Sequence, residues 1–235
     1  MGILDTETVQ KGYDEVKKIN PKTLFIGEGW RMYSGPSGTK GADQDWMTST
    51  NDVAVFSDEI RNLIKSGYPS DGSKKFISGE AQNVVNLFKN LKAQPTNFTA
   101  DDPGDVVQYI EAHDNLTLHD VIAVATGKAV STDDTEIHKR VRLGNTLLLT
   151  SQGIAFLHGG QEYGRTKQFK GTIVNSNDSV ITSSAKDSFS HNSYDSSDAV
   201  NTFDWASLAN TSSLQYKTKE YTKGLIALRN STDAF

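Results

Sequence analysis

Residues 106–112 read VVQYIEA, an apolar run without alternation that ends near a carboxylate and leads into the polar triplet His113-Asp114-Asn115. A short run that is apolar on both sides fits a strand covered on both faces, as in a parallel sheet. Residues 24–29 (LFIGEG), 53–57 (VAVFS) and 154–158 (IAFLH) have the same character. Helical spacing surrounds them. Val9, Tyr13 and Val16 predict a helix capped by Asp5 or Thr6, and Val84, Val85, Leu87, Phe88 and Leu91 a second that ends near Pro95. Ile137, Val141, Leu143, Leu147 and Leu148 predict a third ending near Gly153, and Tyr221, Leu225, Ile226 and Leu228 one at the C-terminus, with a short helix near 59–66. Strands alternating with helices in this way make an α/β architecture.

The connections that leave the strands are long and polar. Residues 31–50 and 163–204 are rich in Gly, Ser, Thr, Asn and Asp, whereas the connections entering the strands are short. Long loops on one side mark a barrel or sheet whose C-terminal face carries function. The Ser- and Asn-rich stretch 171–202 reads as a disordered linker or as a loop held by the anchoring aromatics Phe189, Tyr194, Phe203 and Trp205. Four strands in 235 residues, near the length of a complete eight-stranded barrel of about 250 residues, leave two options. Either long loops decorate a small domain, or the chain is half of a larger barrel.

Composition narrows the function. Lys plus Arg total 24 against 29 Asp plus Glu, a net charge of −5, which is no footprint for a nucleic-acid backbone. No apolar stretch approaches the roughly 20 residues of a membrane span. Cysteine is absent, which excludes disulfides, thiol nucleophiles and Cys-based zinc sites. His119, His138, His158 and His191 show no metal-site spacing, and no metal is expected. MGILDTETVQ lacks the basic head and apolar core of a signal peptide.

Three places carry candidate chemistry. Glu28 ends the LFIGEG run between Gly27 and Gly29, where a ligand could approach the backbone closely. Trp30 could form a sugar-stacking or apolar wall that desolvates the carboxyl, as a general acid requires. The plainer alternative is a loop-starting Glu28 and a core Trp30. His113, Asp114 and Asn115 form a second polar cluster suited to hydroxyl-rich ligands, and two carboxyl groups converging from different strands suit glycoside hydrolysis. Asp114 could instead be a loop N-cap, and Glu111 a buried layer residue or the partner of a base. Gly159-Gly160 could hold phosphate after a late strand, although no Lys or Ser/Thr sits where a P-loop requires it.

IGEGW (26–30) and EAHDN (111–115), in this order and separation, resemble two signature regions of the α-amylase superfamily, and within it the type I pullulanases. GIAFLHGGQEYGRTK (153–167) resembles the strand and loop near the end of that family's barrel. HNSYDSSDAVNTFDW (191–205) resembles its long substrate-side loop, and YTKGLIALRNSTDAF (221–235) its final barrel helix. The resemblance therefore spans essentially the whole chain. It implies a (β/α) barrel of TIM type of which residues 1–235 form the C-terminal half, about four βα units, with the first half and the β-sandwich that normally follows both missing. MGILDTET resembles the tail of the family motif GFRFDMMG, which places the nucleophilic Asp two residues before Met1; Asp5 lies beyond that strand and is no substitute.

The resemblance implies a retaining hydrolase that debranches α-1,6 glucans such as pullulan, glycogen or branched dextrins. Glu28 matches the general acid/base, and His113 and Asp114 the pair that binds sugar hydroxyls and stabilises the transition state. Trp30 and Asn115 match cleft residues, and Tyr194 a substrate contact in the resembling loop. No cofactor is implied; some members bind structural calcium, but no oxygen-ligand pattern here calls for it. The expected partners are the α-glucan and either the missing barrel half or a second copy, and the expected location is extracellular or at the cell surface. The alternative is a non-catalytic glucan-binding protein that keeps the sugar contacts without the nucleophile.

Overall fold

The computed structural model describes residues 1–50, 53–169 and 179–235. Two compact units divide them. The first comprises Met1–Ile60, Val84–Gln108 and Ser151–Phe156; the second comprises Arg61–Asn83, Tyr109–Thr150 and Leu157–Phe235.

In the first unit, α1 (Thr6–Ile19) starts where the Asp5 carboxylate accepts the Thr8 backbone N–H at 2.8 Å, so Asp5 rather than Thr6 is the cap. The sheet follows. Strands β1 (Phe25–Gly27), β2 (Val53–Phe56), β3 (Val106–Gln108) and β4 (Ile154–Ala155) pair in sequence order, all parallel. All four runs singled out in the sequence are strands, each shorter than the apolar run that announces it. Continuous apolarity tracks burial only in the middle: Val53, Ala54, Val55, Val106 and Val107 are fully buried, while Ile26 and Leu24 of the edge run are exposed. Helices α2 (Asp58–Ile64) and α3 (Val84–Leu91) stand in the crossover from β2 to β3. The crossover from β1 to β2 instead carries a 3₁₀ turn over Gln44–Ser49, and its Trp46 and Met47 join Val9, Val53, Val55, Phe98 and Val106 in the core.

The second unit is mainly helical: α4 (Leu118–Thr126), α5 (Val130–Leu149), α6 (Asp198–Asn201), α7 (Trp205–Ala209) and α8 (Leu214–Asn230). Helix α5 packs on both α4 and α8. Gly144 allows the α4 contact, because a Cβ there would stand 2.8 Å from Leu118 Cδ2. Buried polar groups fill the α5–α8 seam: Asn145 donates to Thr222 at 3.0 Å, and His138 Nδ1 lies 2.9 Å from the Thr218 hydroxyl. The described part of the stretch 171–202 follows the anchored-loop reading at Phe189, but Tyr194 and Trp205 are exposed and anchor nothing by burial. Strands β5 (Val180–Thr182) and β6 (Ser188–Ser190) form an antiparallel hairpin with Phe189 fully buried, while residues 171–178 lie outside the described residues.

Candidate active site

Glu28 immediately follows β1 and is exposed. Its backbone carbonyl accepts the Gly2 N–H at 2.8 Å, so the first residues of the chain run beside the end of β1. Trp30 is half-buried, while Glu28 stays exposed rather than walled off from water. The flanking glycines also have another cause than ligand approach. A Cβ on Gly27 would meet Met1 Cγ at 2.7 Å and one on Gly29 would meet Val55 Cγ1 at 2.5 Å, so the close neighbours are the chain's own atoms.

In the second unit the structure gathers His113, Asp114, Asn115 and Tyr194. His113 Nε2 lies 3.6 Å from Asp114 Oδ1, with both side chains about half exposed, and the His113 ring sits 5.5 Å from that of Tyr194. Asp114 pairs with Asn192 in an antiparallel bridge, and the Ser193 N–H donates to the His113 carbonyl at 3.1 Å. Those two links bring the 191–205 loop to the triplet. Asn115 is buried with φ +67°, a left-handed conformation that Asn tolerates better than most residues. The assignment of Asp114 as a mere helix cap fails: Thr117 caps α4 through the Asp120 N–H.

What holds the triplet is a frame of buried charge. Glu111 is 1% exposed; one carboxylate oxygen lies 2.8 Å from His158 Nδ1 and the other accepts the Leu118 N–H at 2.8 Å, so it does pair with a base. The Lys65 ammonium donates to the Leu116 carbonyl while Asp71 accepts the Leu116 N–H at 2.7 Å. Burial pushes Lys65 below the usual ammonium range and Asp71 above the usual carboxylate range. The Lys167 ammonium donates to the Ser193 hydroxyl, and burial lowers it to about 8. Lys65, Asp71 and Lys167 carried no signal in the sequence, because lysines and aspartates in polar loops are ordinarily solvated.

Two further clusters lie outside this frame. His119 is clamped between Asp120 Oδ1 at Nδ1 and Asp134 Oδ1 at Nε2, each 3.0 Å away. Burial alone would lower it, yet the two hydrogen-bonded carboxylates raise it to about 9. His138, on the same cluster, is lowered to about 4 by burial and by the neighbouring His119. In the first unit Asp105 is buried near Asp101 and Asp102; burial, then the Asp101 hydrogen bond and the Asp102 charge, raise its carboxyl to about 7. The Gly159-Gly160 turn is closed by its own chain: Gly160 has φ +103°, and a Cβ there would meet Arg165 Nε at 2.7 Å.

No family model matches the chain. The chain is 51% identical over its whole length to pullulanase A of Streptococcus pneumoniae, of which it spans 20%. It superimposes over its whole length on the group B Streptococcus pullulanase SAP in complex with maltotetraose, with TM-score 0.93 and 53% identity, covering 32% of that chain. The catalytic module of the glycogen-degrading pneumococcal virulence factor SpuA matches with TM-score 0.92 and 49% identity, again over the whole chain and 36% of the module. The chain is thus a close homologue of one segment, about a fifth of the length of pullulanase A, of the pullulanase-type glycoside hydrolases.

Proposed function

We propose that this chain supplies the acid/base and sugar-binding half of a retaining α-1,6-glucan debranching hydrolase acting on pullulan, glycogen or branched dextrins. Its sheet is then the second half of a TIM-type barrel, with the first half contributed by sequence outside this chain. One observation carries the reading: the chain follows a pullulanase bound to maltotetraose from its first residue to its last.

In this reading Glu28 donates a proton to the leaving glycosidic oxygen and then takes one from the attacking water. Its exposure at the end of β1 supports that role, since an acid/base must reach substrate and solvent in turn. His113 and Asp114 bind sugar hydroxyls and stabilise positive charge at the reacting carbon. Trp30 and Asn115 line the cleft, and Tyr194 offers a sugar an aromatic face beside His113. A retaining mechanism needs a second, nucleophilic carboxylate about 5 Å from Glu28, and the Gly2–Glu28 backbone hydrogen bond lays the start of the chain beside the end of β1, where such a group would have to stand.

The test is Glu28→Gln in the full-length parent protein, assayed for reducing ends from pullulan. The amide keeps the shape but cannot shuttle a proton, so turnover should fall by roughly 10²–10⁴-fold with maltotetraose binding retained. Near-normal turnover would refute the role of Glu28. A parent protein that binds maltotetraose and never hydrolyses an α-glucan would favour the non-catalytic reading.

A further inference from the structure

Among the described residues, one cluster of donor atoms that the proposed chemistry does not use lies between α4 and α5 of the second unit. Asp134 and His138 stand four residues apart on α5 and so share one face of it. His119, from α4, points its Nε2 at the same Asp134 oxygen. His119 and His138 are 1% and 0% exposed, their rings 5.5 Å apart.

The second nitrogen of each ring is already held. His119 Nδ1 is 3.0 Å from Asp120 Oδ1, and His138 Nδ1 is 2.9 Å from the Thr218 hydroxyl of α8. This is the support that metal-bound histidines ordinarily have, a carboxylate or other polar group fixing the ring from behind. The remaining nitrogen of His138 is the independent clue. Its Nε2 is buried, has no hydrogen-bond partner among the described residues, and faces Asp134 Oδ1 at 3.7 Å, beyond hydrogen-bonding range. A buried imidazole nitrogen left without a partner is costly.

We propose that His119 Nε2, His138 Nε2 and Asp134 Oδ1 form a binding site for a divalent transition-metal ion of the zinc class. The spacings suit it. Zn–N and Zn–O bonds of about 2.0–2.2 Å in a tetrahedron separate neighbouring ligand atoms by about 3.3–3.5 Å. The distances from Asp134 Oδ1 are 3.0 Å to His119 Nε2 and 3.7 Å to His138 Nε2, on either side of that range. Two imidazoles and one carboxylate suit zinc, and do not suit calcium or magnesium, which take oxygen donors. The ion replaces the proton that His119 shares with Asp134, and that proton leaves to solvent. The Asp134 side chain is 25% exposed, which gives the ion an entry path and leaves its fourth position to water. The ion would tie α4 to α5 and, through Thr218, to α8. It is a structural brace, independent of the hydrolase reading.

The probe is zinc chloride added to the protein after EDTA treatment, followed by calorimetry and thermal unfolding. One zinc per chain should bind, and at a hundredfold excess over Kd the melting temperature should rise by about 5–10 °C. Cobalt(II) in place of zinc should give the visible absorption of a four-coordinate site with nitrogen ligands. Asp134→Asn, at a partly exposed position that tolerates an amide, should weaken binding at least tenfold, and His138→Asn should remove the cobalt spectrum. Asp101→Asn should change neither. Absence of stoichiometric uptake, or uptake unaltered in Asp134→Asn, would overturn the proposal whatever the folding of the His138 variant.

Discussion

Glu111→Ala should be among the most damaging single changes near the His113-Asp114-Asn115 triplet. Glu111 is 1% exposed and satisfies two groups at once, His158 Nδ1 and the Leu118 N–H, each at 2.8 Å. Truncation leaves the Leu118 amide buried and unpaired, at about 1–3 kcal/mol. Loss of one member of a buried ionic or strongly polar pair brings the total to about 3–5 kcal/mol. His158 is 20% exposed and recovers part of its loss from water, which holds the figure to the lower half of that range. For a chain of this size that is a drop of roughly 6–16 °C in melting temperature. Glu111→Gln is the informative partner. Its amide oxygen can still accept from Leu118 and its NH₂ can donate to a neutral His158 Nδ1, so about 1 kcal/mol or less should be lost. Urea unfolding followed by circular dichroism measures both. An alanine variant within 1 kcal/mol of the parent (a cut-off of about a single hydrogen bond), or a glutamine variant as damaged as alanine, would refute the hydrogen-bond argument.

The carboxyl of Asp105, raised to about 7 when folded, binds a proton that the unfolded chain has released above about 4. Stability should therefore fall as pH rises from about 4 to 7, with a slope of up to about 1.4 kcal/mol per pH unit, and Asp105→Asn should flatten that part of the urea-midpoint profile. Tyr194→Ala should weaken maltotetraose binding by the full-length parent about 3–10-fold, as loss of one exposed ring contact would, with thermal stability unchanged. Unaltered affinity would remove Tyr194 from the sugar site. Gly29→Ala should cost about 1–3 kcal/mol by thermal unfolding, because its methyl group would stand 2.5 Å from Cγ1 of the fully buried Val55 on β2.

The parallel strands were legible because each is a run rich in Val, Ile or Phe bounded by turn residues, and α1 because Asp5 caps a clean helical stripe. Helix α4 was not. LHDVIAVAT is buried along most of its length, and a helix that is apolar on most sides loses the periodicity that identifies it. The β5–β6 hairpin was missed because each arm has three residues and its turn, Ser183 to Asp187, holds no glycine, asparagine or proline, leaving only Phe189 as a core signal. Of the site residues, Glu28, His113, Asp114 and Asn115 stood out as polar groups at the ends of apolar runs. Tyr194 came only from the resembling loop, and its place beside His113 depends on the Asp114–Asn192 bridge, a pairing of residues 78 positions apart that no local pattern encodes. The same holds for His119, Asp134 and His138: linear spacing hid a cluster made by two helices.

The clamp on Leu116 makes Lys65 a natural reporter. Its amine is fully buried, and it is engaged with a carbonyl one residue beyond Asn115. Amine-reactive reagents modify neutral, solvent-accessible amines, so Lys65 should remain unlabelled under conditions that label exposed lysines such as Lys11 and Lys223. Its labelling rate then reads how often the segment carrying His113 and Asp114 comes away from its support, a local opening that can occur without global unfolding. A sugar that grips the triplet would slow the labelling of a lysine it never touches, giving a covalent footprint of occupancy that needs no turnover.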